Sequence, residues 1–367
     1  MSDVSIIGGG VIGWSIAYHL LNRESKLNVA VFERQRSFGM GSTSLAAGGV
    51  RAQFGTTVNI DLALQSIAEF ERFPKEIGAD IGFHQYGYLF VTATSGGLEY
   101  QARAAELQRE RGVPVRELGP ADVRTVAPFL ECSDILGGSF SPTDGYLDPY
   151  AVCQGYEKAA RSLGAQARYG EVFAESEGGI TVLAAGHWSN SAGKRFGVEL
   201  PIRPVRHSLA MTEPVGELFP EDLPMVVDRD TSFHFRREGE CLLIGYDDKD
   251  ETPGDEDVRP GFDFGFLERL APVAIHRLPI SQQLRFDYKK CWSGYYAETP
   301  DKHGIIGEIG GIIAATGFGG HGIMHSPAVG TAVAEIILDG ASHTVDVRSL
   351  RPERFEEDDL VVEEMTI

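Results

Sequence analysis

The sequence predicts an α/β protein: a parallel-sheet domain assembled from both ends of the chain, with a mostly antiparallel, β-rich domain inserted between them. Three observations predict it. A βαβ unit opens the chain, strand-like runs dominate from 200 to 296, and a strand, a glycine-rich turn and an apolar helix close it. Residues 3–7 (DVSII) form a short apolar run ending on glycine, which reads as a buried strand. Over 11–22, Val11, Ile12, Ile16, Ala17 and Leu20 share one helical face, and 28–32 (NVAVF) is a second buried strand. A strand–helix–strand unit this short implies a right-handed crossover. Helices are expected over 57–78 and 95–111, with a strand over 85–93 between them. A further helix covers 149–163, with Pro149 in its first turn, and 182–186 (VLAAG) is a short buried strand. Residues 311–316 (GIIAAT) are a strand, and the last helix covers about 324–339.

Composition narrows what such a fold can do. A chain of 367 residues is expected to hold two or three folding units, and 43% apolar with 23% charged residues excludes whole-chain disorder. The net charge of −20 is the opposite of a nucleic-acid footprint and repels anionic lipid head groups. No apolar run is long enough to span a membrane, and MSDVSIIGGG lacks the sections of a signal peptide. Cys132, Cys153, Cys241 and Cys291 lack metal or disulfide spacing, so a cytoplasmic protein with free thiols is expected. His84, His187, His207 and His234 form no metal spacing, and no metal is expected. The acidic stretches 247–257 and 356–364 fit no calcium loop and read as a solvated loop and a solvated tail.

The chemistry-bearing motif is GGGVIG at 8–13, lying between a strand and a helix. Gly8 permits the tight turn, Gly10 lets a pyrophosphate approach the backbone, and Gly13 lets the helix pack on the sheet. Val11 and Ile12 supply amides at the positive end of that helix. Glu33 ends the second strand, where its carboxylate can accept from a ribose hydroxyl and would repel a 2′-phosphate; Arg34 follows it. A second small-residue loop, GMGSTSLAAGG at 39–49, adds Ser42, Thr43, Ser44, Ala47 and Gly48. The AAG strand end brings Ala185, Gly186 and Trp188. GFGGHG at 317–322 opens the last helix through Gly317, Gly319, Gly320, His321 and Gly322, followed by Ile323 and Met324. NAD usually needs one such loop. Three loops favour the longer FAD, whose flavin edge gains from a helix dipole. The fold is then a discontinuous Rossmann-type FAD-binding domain (1–82, 140–200 and 297–367) with a substrate domain (83–139 and 201–296).

GGGVIG, ER at 33–34, GSTSLAAGGVRAQFG, LAAGHWS, ETPD at 298–301 and GFGGHGIMHSPAVG resemble the D-amino-acid oxidase-like FAD-dependent oxidoreductases, most of all the sarcosine oxidase, dimethylglycine dehydrogenase and glycine oxidase group. The resemblance runs from residue 5 to about 335. It implies oxidation of the C–N bond of a small amino acid or N-methyl amino acid, with hydride transfer to flavin N5. It places Arg51 near the flavin as a ligand of the substrate carboxylate, which suits its bidentate fork, and Val172 against the adenine. Leu45 stands where some relatives tether FAD through histidine, and Gly294 where others use cysteine, so non-covalent FAD is expected. Leu243 replaces an oxygen-activating lysine, and Asp247 falls where a histidine would be. Met324 replaces a second carboxylate-binding lysine. These departures favour a dehydrogenase with an unidentified electron acceptor over a fast oxidase. The stretch 172–183 is shorter than in relatives and reads as a trimmed meander.

His321 is a candidate for a role beside the flavin. Tyr246 and either Tyr295 or Tyr296 are candidates to hydrogen-bond substrate, against a plain half-buried role. His303 and His325 read as structural. Two rival functions remain: 2-hydroxy-acid oxidation, which calls for a histidine base, and a non-catalytic flavoprotein that assists assembly of a larger complex. A homo-oligomer or a subunit of a complex is compatible with the charge.

Overall fold

The computed structural model describes residues 2–173, 179–247 and 254–365. The first half of the chain contains β1 (Val4–Ile7), α1 (Val11–Arg23), β2 (Val29–Glu33), β3 (Gly49–Val50), α2 (Thr57–Glu76), β4 (Tyr88–Thr92), α3 (Ser95–Glu110), β5 (Arg116–Leu118) and α4 (Pro120–Val126). There follow β6 (Gly137–Ser141), β7 (Gly145–Tyr146), α5 (Pro149–Ser162), β8 (Gln166–Tyr169), β9 (Ile180–Leu183) and α6 (Ser189–Gly193). The remainder is β10 (Arg203–Met211), β11 (Met225–Asp228), β12 (Phe233–Glu238), β13 (Cys241–Gly245), α7 (Gly265–Arg277), β14 (Trp292–Glu298), β15 (Ile305–Ile309), β16 (Ile312–Thr316) and α8 (Gly322–Asp339).

Two sheets carry the molecule. The first has the order β15-β16-β9-β1-β2-β8 and is parallel except for the edge strand β15. β1 lies at its centre, with Val4 opposite both Val29 and Ile180. Strands buried on both faces read as continuous apolar runs, which is why VSII, VAVF and IIAA were legible. α1 packs against α5 and α8, and α2 against α8. Their apolar faces, with Trp14, Ile16, Leu20, Phe70 and Val333, close the larger core. α5 starts where Asp148 accepts from the amides of Tyr150 (2.8 Å) and Ala151 (3.1 Å), with Pro149 fixing the first turn.

The second sheet has the order β14-β10-β13-β12-β11-β4-β6-β5, antiparallel except where β11 runs parallel to β4. Its side chains alternate. Leu89, Val226, Phe233, Phe235 and Ile244 pack on Phe266, Leu270 and Ala274 of α7, while Tyr88, Phe90, Met225 and Val227 face the other way. The first sheet draws all its strands from 1–82, 140–200 and 297–367; β6 and β14 of the second run through residues 139–140 and 296–297. α7 interrupts a region whose sequence reads as strands. Residues 174–178 of the shortened stretch lie outside the described residues, while the end of that stretch, 180–183, is β9. Residues 248–253 of the first acidic stretch also lie outside the described residues. The second acidic stretch departs from a solvated tail at one point: Glu363 is 1% exposed. No described helix is long and apolar enough to cross a membrane.

Candidate functional site

The site starts where β1 turns into α1. Gly8 has φ +115, and a Cβ there would stand 2.3 Å from the Ala184 carbonyl oxygen. Gly10 caps α1, and a Cβ there would meet only the Thr43 hydroxyl, at 3.3 Å, so its backbone is open to the cavity beside it. No acidic residue sits in the first turn of α1, whose positive end therefore faces this cavity through Gly10, Val11 and Ile12. Gly13 does not line the cavity; it packs against Gly8.

Glu33 is buried at the end of β2. Its two oxygens accept from Gly9 N (2.9 Å) and Gln35 N (2.7 Å), which orients the carboxylate and leaves lone pairs on both. Arg34 lies 4.2 Å above the Trp188 ring and pairs with Asp257 at 3.3 Å. Trp188 donates from Nε1 to the Glu256 carbonyl at 2.6 Å. In the second loop, Ser42 donates to the Tyr295 carbonyl (2.7 Å) and Thr43 accepts from Val11 N (3.2 Å). Ser44 points outward and does not line the cavity. Ala47, Gly48, Ala185, Gly186 and Trp188 do line it, as does Val172 at an exposed edge. At the far end, Gly317, Gly319, Gly320 and Gly322 form the third loop, His321 caps α8, and Ile323 and Met324 occupy its first turn beside the cavity.

The loops and both helix N-termini thus border one elongated cavity of about 510 Å³. The second sheet contributes residues that sequence reasoning did not select: Tyr88, His207, Met225 and His234. Each lies at an alternating position of a strand, and that alternation was the available signal. Tyr296 stacks on His207 at 3.9 Å and covers Gly320, while Tyr295 lies edge-on to His187. Tyr246 lines the cavity and also packs on Phe266. His234 donates from Nδ1 to the Ser232 carbonyl at 2.8 Å, leaving Nε2 as its acceptor end. Burial holds His234 down to about 4 and pushes His321 well below the usual histidine range, with Arg51 adding to the latter.

Arg51 is not a surface residue. It is 1% exposed, lines the cavity, and lies between the rings of Phe54 (4.0 Å) and Phe90 (5.4 Å). Its guanidinium donates to the main-chain carbonyls of Gln53 and Met365, and its Nη2 stands 3.5 Å from His321 Nε2. Asp144 fixes the backbone after it, accepting from Ala52 N (3.0 Å), Gln53 Nε2 (3.1 Å) and Ser141 Oγ (3.0 Å). Desolvation raises that carboxyl to about 6.

The model of the FAD dependent oxidoreductase family matches residues 3–336. The chain belongs to this family. This FAD-dependent oxidoreductase is 30% identical over 418 residues to FAD-dependent oxidoreductase domain-containing protein 1 of Xenopus laevis, covering 96% of this chain and 82% of that one. It is 27% identical to mitochondrial dimethylglycine dehydrogenase of Homo sapiens, over 96% of this chain and 44% of the other. The crystal structure of L-proline dehydrogenase from P. horikoshii superposes with a TM-score of 0.88 at 29% identity, covering 98% and 99% of the two chains.

The cavity fits FAD on its own evidence. A side chain at Gly10 would project into the space that a pyrophosphate takes, Glu33 presents an oriented carboxylate one strand away, and α8 aims its N-terminus at the opposite end. Among the described residues, no cluster of side chains could hold a metal ion.

Proposed function

We propose that this oxidoreductase oxidises the C–N bond of a small amino acid or N-methyl amino acid. The observation that carries the reading is the pairing of Arg51 with an aromatic and imidazole roof at the α8 end of the cavity. The guanidinium would take a carboxylate through two N–H groups. Tyr296, stacked on His207, and His234 would orient the nitrogen, and Tyr88 and Met225 would exclude water. FAD, when bound, supplies the two-electron acceptor for the C–H bond beside that nitrogen and leaves an imine that water hydrolyses. The dehydrogenase relatives named above, one acting on L-proline and one on dimethylglycine, support an amine substrate.

The imidazoles favour an amine over a hydroxy acid. His234 and His321 are held too low to be good proton acceptors at neutral pH, and alcohol oxidation needs such an acceptor. An amine can arrive already neutral. His207, 3.8 Å from Glu298, is the group a hydroxy-acid reaction would turn to.

A dehydrogenase is favoured because, among the described residues, no lysine lines the cavity. Leu243 instead packs with Leu209, Met211 and Cys241 in an apolar cluster. FAD is held without a covalent bond: Leu45 lies against Gly294, and Cys291 bonds to the Asp287 carbonyl away from the cavity.

The test is anaerobic mixing of the holoprotein with amino acids, N-methyl amino acids and 2-hydroxy acids while the flavin absorbance is followed. Bleaching by amines is expected. Bleaching by hydroxy acids alone, or by nothing in the panel, would overturn the reading, the second outcome favouring a structural flavin. Reoxidation of the bleached protein by a quinone should outrun reoxidation by air.

A further inference from the structure

Arg51 is a buried cation, and among the described residues no carboxylate is bonded to it. Such a charge is costly to desolvate, so the groups that satisfy it have a function beyond packing. One of the two carbonyls it holds, that of Gln53, is fixed by the chain two residues away. The other belongs to Met365, 314 residues away in sequence.

The Met365 side chain is 2% exposed and packs with Tyr88, Phe90, Met225 and Val227, two of which line the cavity. The peptide is tied down by one carboxylate. Glu363 accepts from Gly55 N (2.9 Å), Thr56 Oγ1 (2.8 Å), Asn59 Nδ2 (3.0 Å) and Met365 N (2.9 Å). Its own amide donates to the Asp301 carbonyl at 3.1 Å. Around these two anchors the segment is open: Val361 and Val362 are exposed, and 361–365 belongs to no strand or helix. The segment is held by the Glu363 carboxylate, the Met365 side chain, the main-chain bond to Asp301 and an ion pair of Glu364 with Arg229 at 3.7 Å; with no sheet ladder among these ties, it can open without unfolding either sheet.

We propose that Glu363 and Met365 form a latch that determines specificity at Arg51: the Met365 carbonyl occupies the guanidinium, and a ligand is admitted only when its carboxylate displaces that carbonyl. The inference rests on the reading of Arg51 as the carboxylate site. A carboxylate makes a charge-assisted, two-pronged bond that a neutral carbonyl cannot match, so an amino acid opens the latch and an amine without a carboxylate does not. While the latch is closed, the apparent affinity for a carboxylate falls by the fraction of molecules that are open.

The experiment uses FAD-loaded full-length protein and acetate, a carboxylate that cannot be oxidised, with binding read from the flavin absorbance. Glu363→Ala should bind acetate about tenfold more tightly than the parent, as expected if about a tenth of the parent is open, with FAD content unchanged. If that variant does not fold, Met365→Ala, which loosens the other anchor, makes the same comparison. In the parent, acetate should speed cleavage after Glu363 by a glutamate-specific protease, and chloride at equal ionic strength should not. Equal acetate affinity in parent and variant, or cleavage indifferent to acetate, would overturn the latch, and so would the absence of any spectral response. Failure of the oxidative reading is distinguishable: acetate would bind and release the segment, yet no amine would bleach the flavin.

Discussion

Arg51 shows how far single residues could be read and where reading stopped. The family resemblance implied a cation near the cofactor at this position, and Arg51 does line the cavity. Its Met365 partner left no trace in the sequence, because a main-chain carbonyl carries no residue signature and the two lie 314 positions apart. Glu363 was hidden for the same reason: an acid among six in nine residues reads as solvated, and only the fold brings Gly55, Thr56 and Asn59 to it. Arg51→Lys keeps the charge but loses the fork. Binding of a carboxylate-bearing amine should weaken about ten- to a hundredfold, the worth of one charged hydrogen bond, while FAD content changes little. Flavin reduction against amine concentration, with the FAD-to-protein ratio, measures both; parallel losses would make Arg51 a cofactor ligand. Leu45 and Gly294 carry a second expectation: heat or acid precipitation should leave FAD in the supernatant, and yellow colour in the pellet would contradict it.

At the level of elements, the two buried parallel strands and the glycine turn were legible because each carries a local rule. α7 was not. Pro272 stands inside it, and the helix lies among strand-like runs, so periodicity alone did not separate it. Its apolar positions Phe266, Leu270 and Ala274 make sense only against the outer face of the second sheet. The β1–α1 turn permits a discriminating pair of substitutions. Gly8→Ala forces a left-handed residue and a clash with Ala184, costing about 1–3 kcal/mol in backbone strain alone, and should lower Tm with or without FAD. Gly10→Ala meets only a hydroxyl, so it should leave the apoprotein's Tm nearly unchanged and weaken FAD binding instead. Thermal melts of both variants with and without added FAD separate the two; a large loss of apoprotein stability in Gly10→Ala would refute the assignment of that backbone to the cofactor.

For the molecule as a whole, the net charge of −20 means that an anionic dinucleotide is held against the global field by helix ends, main-chain amides and a few arginines. Acid should loosen the fold through its buried histidines. Burial holds His187 and His234 down to about 4 and His325 down to about 3. Between the ordinary histidine value and these, the unfolded chain takes up protons that the folded chain refuses, so stability falls as pH falls. Each such group contributes up to about 1.4 kcal/mol per pH unit. Asp144, raised to about 6, acts in the opposite sense between its ordinary value and 6, stabilising the fold as pH falls, but it is one group against several, since burial also holds His321 and His303 down. Tm should therefore be lower at pH 5 than at pH 7, and His234→Gln should flatten the slope. A Tm unchanged or higher at pH 5 would show that these imidazoles are not kept neutral.

The first sheet gathers strands from both ends of the chain, and the cofactor cavity needs Gly10 from one end and His321 from the other. A ribosome emitting about 5–20 residues per second delivers the second of these some 15–60 s after the first. The nascent polypeptide therefore has no finished flavin receptacle until residue 321 has been made, and in a cell short of riboflavin that receptacle would stand finished but unloaded.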